Sequence, residues 1–150
     1  MKPWAVGILF GAIALAGTLM WLAERVTRRG VERRLAGRPQ LDSASFGARY
    51  FGEPASRATL AAEIRRLLEP MVPFTLQGLD PDDAFATDLK LDDLDSLFAV
   101  EFLQELERHF DISIPNKDAD RLITFRHLVD YLDRRLKDKE ATQRDPELAG

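Results

Sequence analysis

Apolar positions along this chain fall into one unbroken run and then a series of helical stripes. The run, Trp4 to Ala23 ("WAVGILFGAIALAGTLMWLA"), contains no charged residue. Its twenty residues match the length a helix needs to cross about 30 Å of hydrocarbon. From Ser56 onward the period is helical: Leu60, Ala61, Ile64, Leu67, Leu68 and Met71 share a face, while Arg57, Glu63, Arg65, Arg66 and Glu69 fill the other. Ser56 is a candidate cap, and Pro70 and Pro73 mark the end. A long loop, "FTLQGLDPDDAFATDLKLDD", follows, with Leu76, Leu79, Phe85, Leu89 and Leu91 spaced to pin it to a core. A second stripe (Leu97, Val100, Leu103, Leu106, Phe110) predicts a helix from about Asp95 to Phe110, closed by Asp111 and Pro115. "NKDADRL" is at most a short third helix. Thr124 caps a fourth, with Leu128, Val129, Leu132 and Leu136 inward. No strand alternation and no internal repeat is present.

The predicted fold is therefore all-α: a small bundle of three to four helices with a long first loop, preceded by one transmembrane helix. Residues 1–23 form the anchor, 24–55 a basic juxtamembrane segment and linker, 56–137 the helical domain, and 138–150 a polar tail expected to be unstructured. Within the linker, Phe46, Tyr50 and Phe51 make an apolar face suited to docking on the domain that follows.

Charge sharpens the topology. Behind the apolar run stand Arg25, Arg28, Arg29, Arg33, Arg34 and Arg38 against Glu24 and Glu32; before it stands only Lys2. The positive-inside rule then places the N-terminus outside and the rest in the cytoplasm, at the cytoplasmic membrane. "AIALAG" offers a signal-peptide cleavage site, but the run continues through Met20, Trp21 and Leu22, so an uncleaved anchor is expected. Trp4 and Trp21 sit where aromatic rings favour the interface. Gly7 and Gly11 have a helix-packing spacing that is also common in any such helix. Two roles stay open for the arginines: a topology signal alone, or contact with anionic headgroups.

The chain of 150 residues has no cysteine, which excludes disulfides, thiolate metal sites and a cysteine nucleophile. Residues 56–137 carry 11 basic and 17 acidic side chains, a balance opposite to what nucleic acid requires. Ser96 stands among Asp92, Asp93 and Asp95 at a predicted helix start. Serine catalysis needs a base within reach, and the chain has only His109 and His127, the former more than three helical turns away. The aspartates lack the glycine and closing glutamate of a calcium loop and read most simply as helix-start charges.

Taken together, the residues around Ser96 resemble the acyl carrier protein family, or phosphopantetheine-binding domains. The likeness rests on Asp95-Ser96-Leu97, Glu101 five residues after the serine, Phe110-Asp111, Ile114-Pro115, Thr124 and Asp130-Tyr131, without a gap. It extends over roughly residues 56–137. It implies no catalysis by the chain itself. It implies that a phosphopantetheinyl transferase attaches 4′-phosphopantetheine to the Ser96 hydroxyl, with Asp95 and Leu97 part of the recognised motif. The arm's thiol would then carry acyl groups as thioesters. It also implies that acyl-loading and acyl-accepting enzymes approach the acidic face of Glu101, Glu105 and Glu107. With the bilayer bound through residues 4–23, those enzymes are expected to be membrane-associated. The rival reading is an unmodified module of the same fold that scaffolds a partner at the membrane. Three departures from the family stand out: about three extra residues in "DLKLDDLDSL", Phe98 where an acid is common, and Arg108 within the acidic face. For Phe98, packing against "FGARYF" and contact with a partner both stay open.

Overall fold

The computed structural model describes residues 3–93 and 97–145, with side chains from Ile13 onward except that of Asp93. Among these residues six helices follow one another: α1 (Pro3–Ala36), α2 (Ser43–Phe51), α3 (Ala55–Leu68), α4 (Phe98–Phe110), α5 (Asn116–Ala119) and α6 (Phe125–Arg144). Short 3-10 turns cover Glu69–Met71 and Leu91–Asp93, and one antiparallel bridge joins Ala84 to Thr124. Among the described residues no helix is long and apolar enough to cross a membrane. The side chains of residues 3–12, the first half of the charge-free run, lie outside that description.

The core gathers side chains from every long element. Leu60, Ile64 and Leu68 of α3, Phe102 and Leu106 of α4, and Leu128, Val129 and Leu132 of α6 are buried together with the loop residues Leu76, Leu79, Leu89 and Leu91. The spaced apolar residues of the loop thus serve as its pins. Thr124 caps α6 as expected, its hydroxyl accepting from the His127 amide at 3.2 Å. Ser56 does not cap α3: the helix already begins at Ala55, behind Pro54.

Two segments that polarity placed outside the bundle are joined to it. The region 24–55 supplies Val31, Leu35, Phe46 and Phe51 to the same core. The linker's apolar face belongs to a nine-residue helix, capped by Asp42, which accepts from the Ser45 amide at 2.7 Å. Gly47 of α2 lies so close to α3 that a Cβ there would stand 2.2 Å from the Ala58 carbonyl oxygen. At the other end, α6 continues seven residues past Lys137 to Arg144. Lys139 reaches back to Asp111, donating to its carbonyl and carboxylate at 2.7 Å each. Asp111 itself closes α4 in the left-handed conformation, φ 50°.

Charge does unexpected structural service in the front half. Arg65, placed by periodicity on the solvent face of α3, is 1% exposed. Its guanidinium donates to the carbonyls of Leu41 and Asp42 at 2.5 and 3.3 Å and lies 5.1 Å from the Phe46 ring centroid. Burial lowers its pKa, with the charges of Glu69 and Asp42 opposing that shift. Arg38, two residues beyond α1, forks onto buried Asp83 at 2.6 and 3.0 Å, and Asp83 also accepts from the Asp80 amide. Arg34 adds bonds to the carboxylate and carbonyl of Asp88 at 3.0 and 2.5 Å. Gly78 presses against α1, where a Cβ would fall 1.8 Å from the Leu35 carbonyl oxygen.

Gly78→Ala is expected to cost at least the roughly 1–3 kcal/mol of core overpacking, because the Leu35 carbonyl it would meet is backbone and cannot swing aside. Arg38→Ala, which among the described residues leaves buried Asp83 with only the Arg34 contact at 3.9 Å and the Asp80 amide, should cost about 1.5–3 kcal/mol. Arg28→Ala, which breaks only the exposed pair with Glu32, should cost under about 1 kcal/mol. Denaturant unfolding of the three variants checks this ranking. Acid should also loosen the loop. A hydrogen bond from Arg126 holds the Asp82 carboxyl low, and the Ala84 amide with Arg34 does the same for Asp88. A depressed folded pKa gives stability that is complete above the ordinary aspartate value of 3.8 and disappears as pH falls through the folded value. The thermal midpoint should therefore drop steeply below about pH 4, and less steeply in Asp88→Asn.

Candidate functional site

The loop and α4 meet at the stretch that carries the serine motif. Ser96 and Asp95 lie outside the described residues. Their flanks are well placed. On one side Leu91 is 4% exposed and its amide donates to the Phe85 carbonyl at 3.0 Å. On the other, Phe98 is 9% exposed and stacks on Phe102, with ring centroids 6.1 Å apart. The chain between them therefore spans two buried anchors. Leu97 stands at the N-cap of α4, its carbonyl accepting from the Glu101 amide at 2.9 Å. The described part of the helix begins at Phe98 rather than at Asp95.

Leu91 and Phe98 both line an apolar cleft of about 340 Å³. Phe85 and Leu91 of the loop, Phe98 and Phe102 of α4, Leu122 and Leu128 supply much of its wall, and Asp92 sits at its edge. Its size is at the lower end of the roughly 300–1,000 Å³ of small-ligand pockets. Phe98 therefore packs on Phe102 and lines this cleft.

The inward face of α4 differs from the expected one. Phe98, Phe102 and Leu106 are buried, with Leu103 and Phe110 packed beside them, whereas Leu97 and Val100 are 56% and 49% exposed. Apolar residues cover a wide arc of this helix, so periodicity admits either stripe. The larger aromatic rings gain more from leaving water and take the inner side. As a result Leu97 and Val100 are exposed apolar positions near the start of α4, and Ile123 is another in the turn before α6. The signal for Val100 and Ile123 was their apolar character alone, which reads equally well as core.

The three glutamates have different surroundings. Glu101 is exposed. Glu105 is bonded to Arg108 one turn on, which holds its carboxyl below the usual range. Glu107 turns inward along the chain and accepts from the Ile114 amide at 2.6 Å. Arg108 thus neutralises Glu105, and Glu107 serves the turn that follows α4.

Residues 62–132 match the family model described as a phosphopantetheine attachment site. The chain is 39% identical over 54 residues to the acyl carrier protein of Chlorobium phaeobacteroides, a stretch covering 36% of this chain and 65% of that protein. It is 40% identical over 62 residues to the acyl carrier protein of Bdellovibrio bacteriovorus, covering 40% of this chain and 80% of that protein. The chain thus spans just under two thirds of the length of the first of these relatives and four fifths of the second. It belongs to the acyl carrier protein family, whose prosthetic group is a covalently attached 4′-phosphopantetheine. The apolar cleft lined by Leu91 and Phe98, which flank the attachment stretch in sequence, fits such a group and its cargo, because it offers an apolar wall on which an apolar chain can lie.

Glu107→Ala should cost about 1–2 kcal/mol, because the Ile114 amide loses its acceptor. Glu101→Ala should stay within about 0.5 kcal/mol. Chemical denaturation of the two variants separates the structural glutamate from the available one.

Proposed function

We propose that this chain is a membrane-tethered acyl carrier whose Ser96 hydroxyl takes 4′-phosphopantetheine. One observation carries the reading: the apolar cleft lies between Leu91 and Phe98, the buried residues that flank Ser96. The bound group supplies a terminal thiol that holds an acyl chain as a thioester. The protein's own residues do the rest. Leu91 and Phe98 anchor the attachment stretch, and Phe102, Leu122 and Leu128 shelter apolar cargo from water. Leu97, Val100, Ile123 and Glu101 present an apolar surface with one free acid to a phosphopantetheinyl transferase and to acyl-loading and acyl-accepting enzymes. The asymmetry among the glutamates favours Glu101 as the steering charge over Glu105 and Glu107. The chain catalyses nothing itself.

Tethering is supported by the charge-free run Trp4–Ala23 and by the six arginines that follow it. The backbone of α1 is helical from Pro3 to Ala36 and passes from that run directly into the core. Val31 lies eight residues beyond Ala23, or about 12 Å along a helix. The carrier would therefore stand close to the cytoplasmic face of the membrane, at high effective concentration for a membrane-associated acyl acceptor.

Co-expression with a broad-specificity phosphopantetheinyl transferase should add the mass of one phosphopantetheine to the intact chain, and Ser96→Ala should abolish the gain. A wild type left unmodified by several such transferases would instead identify an unmodified scaffold of the same fold. For the tether, the chain should fractionate with membranes, and a reporter fused after Gly150 should be active only in the cytoplasm.

A further inference from the structure

A second and larger cleft, of about 720 Å³, opens between α1 and the segment from Pro73 to Lys90, on residues that play no part in the carrier site. We propose that it seats the headgroup of an anionic phospholipid at the membrane surface. This rests on the anchor reading above and extends it to the side chains that meet the bilayer. The position fits. Trp21 and Met20, at one end of the cleft, belong to the last turn of the charge-free run and are exposed. The cleft therefore starts where hydrocarbon would end. Its floor is apolar, made by buried Val31, Phe74 and Leu89. Its rim is cationic: Arg25 and Arg28 come from α1 and Lys90 from the loop, against Glu24 as the acid on the lining.

The cations are available. Arg25 lies over the Trp21 ring, 4.4 Å from its centroid, and neither Arg25 nor Lys90 has a carboxylate partner among the described residues. Arg28 is bonded to Glu32 in an exposed i,i+4 pair at 2.9 Å, a contact that solvent weakens. Guanidinium forks and an ammonium match the oxygens of a phosphodiester. An indole ring beside them suits the boundary between headgroup and acyl chain. A phospholipid is the occupant that uses both the apolar floor and the basic rim. Lys90, held at φ 55°, immediately precedes Leu91, so the seat adjoins the stretch that carries Ser96.

The test uses the full chain in nanodiscs of phosphatidylcholine, with and without phosphatidylglycerol, read by amide hydrogen exchange. The expected result is several-fold slower exchange over residues 73–90 only where phosphatidylglycerol is present. Arg25→Gln with Lys90→Asn should erase that difference; asparagine tolerates the left-handed backbone, and an unchanged melting midpoint in detergent confirms that the pair folds. Arg29→Gln, exposed on α1 outside the cleft, should keep the difference. Several outcomes overturn the seat alone: equal exchange in both discs, loss of the effect in Arg29→Gln, or the same protection from inorganic phosphate in detergent. A chain that enters neither kind of disc overturns the anchor, and the seat with it.

Discussion

The contact on which the rest of this structure depends is the one between the last turns of α1 and the long loop. The Leu35 carbonyl faces Gly78 at a distance no other residue type would allow. Beside it Arg38 and Asp83 form a two-pronged ion pair with the acid almost completely buried. A buried charge without its partner is costly, and a Cβ at residue 78 would push the two elements apart. Together these features set how the loop lies. The loop then continues through Asp88, Leu89 and Leu91 into the stretch that holds Ser96.

The long first helix and the stretch that holds Ser96 are thus mechanically continuous. A flexible linker would leave α1 free to swing against the rest of the domain. Here α1, α2 and α3 are joined by Phe46 in the core, by Gly47 against α3, and by Arg65 holding the carbonyls of Leu41 and Asp42. The other side of the loop is fixed to the start of α6. Arg126 bonds Asp82 at 2.7 Å, the Arg126 amide donates to Pro81, and the Phe85 amide donates to Ile123. The loop is therefore held between the first and last helices, which accounts for an ordered cleft beside a segment with so little regular structure.

The same arrangement divides the acidic residues by role. Asp82, Asp83 and Asp88 belong to the clamp, Glu107 to the turn after α4, and Asp111 to the tie with Lys139. Much of the net negative charge in this domain is therefore engaged in holding the fold. Among the three glutamates of α4, Glu101 is the one left to face solvent beside Leu97 and Val100.

Local pattern determined a good deal. The stripes Leu60–Ile64–Leu68 and Leu128–Val129–Leu132, the Thr124 cap and the family motif at Asp95-Ser96-Leu97 are all set by neighbours within a few turns, so the sequence by itself determines them. Helical period could not choose the inner face of α4, because apolar residues cover too wide an arc. That choice fell to the two phenylalanines once a core was present to receive them. Nor could polarity reveal that Arg65 is buried, that Arg34 and Arg38 face aspartates some 45 to 54 residues away, or that α6 extends to Arg144. An arginine's place depends on whether a carbonyl or carboxylate waits opposite it. Chains supply those partners across long separations, and only the tertiary structure brings them together.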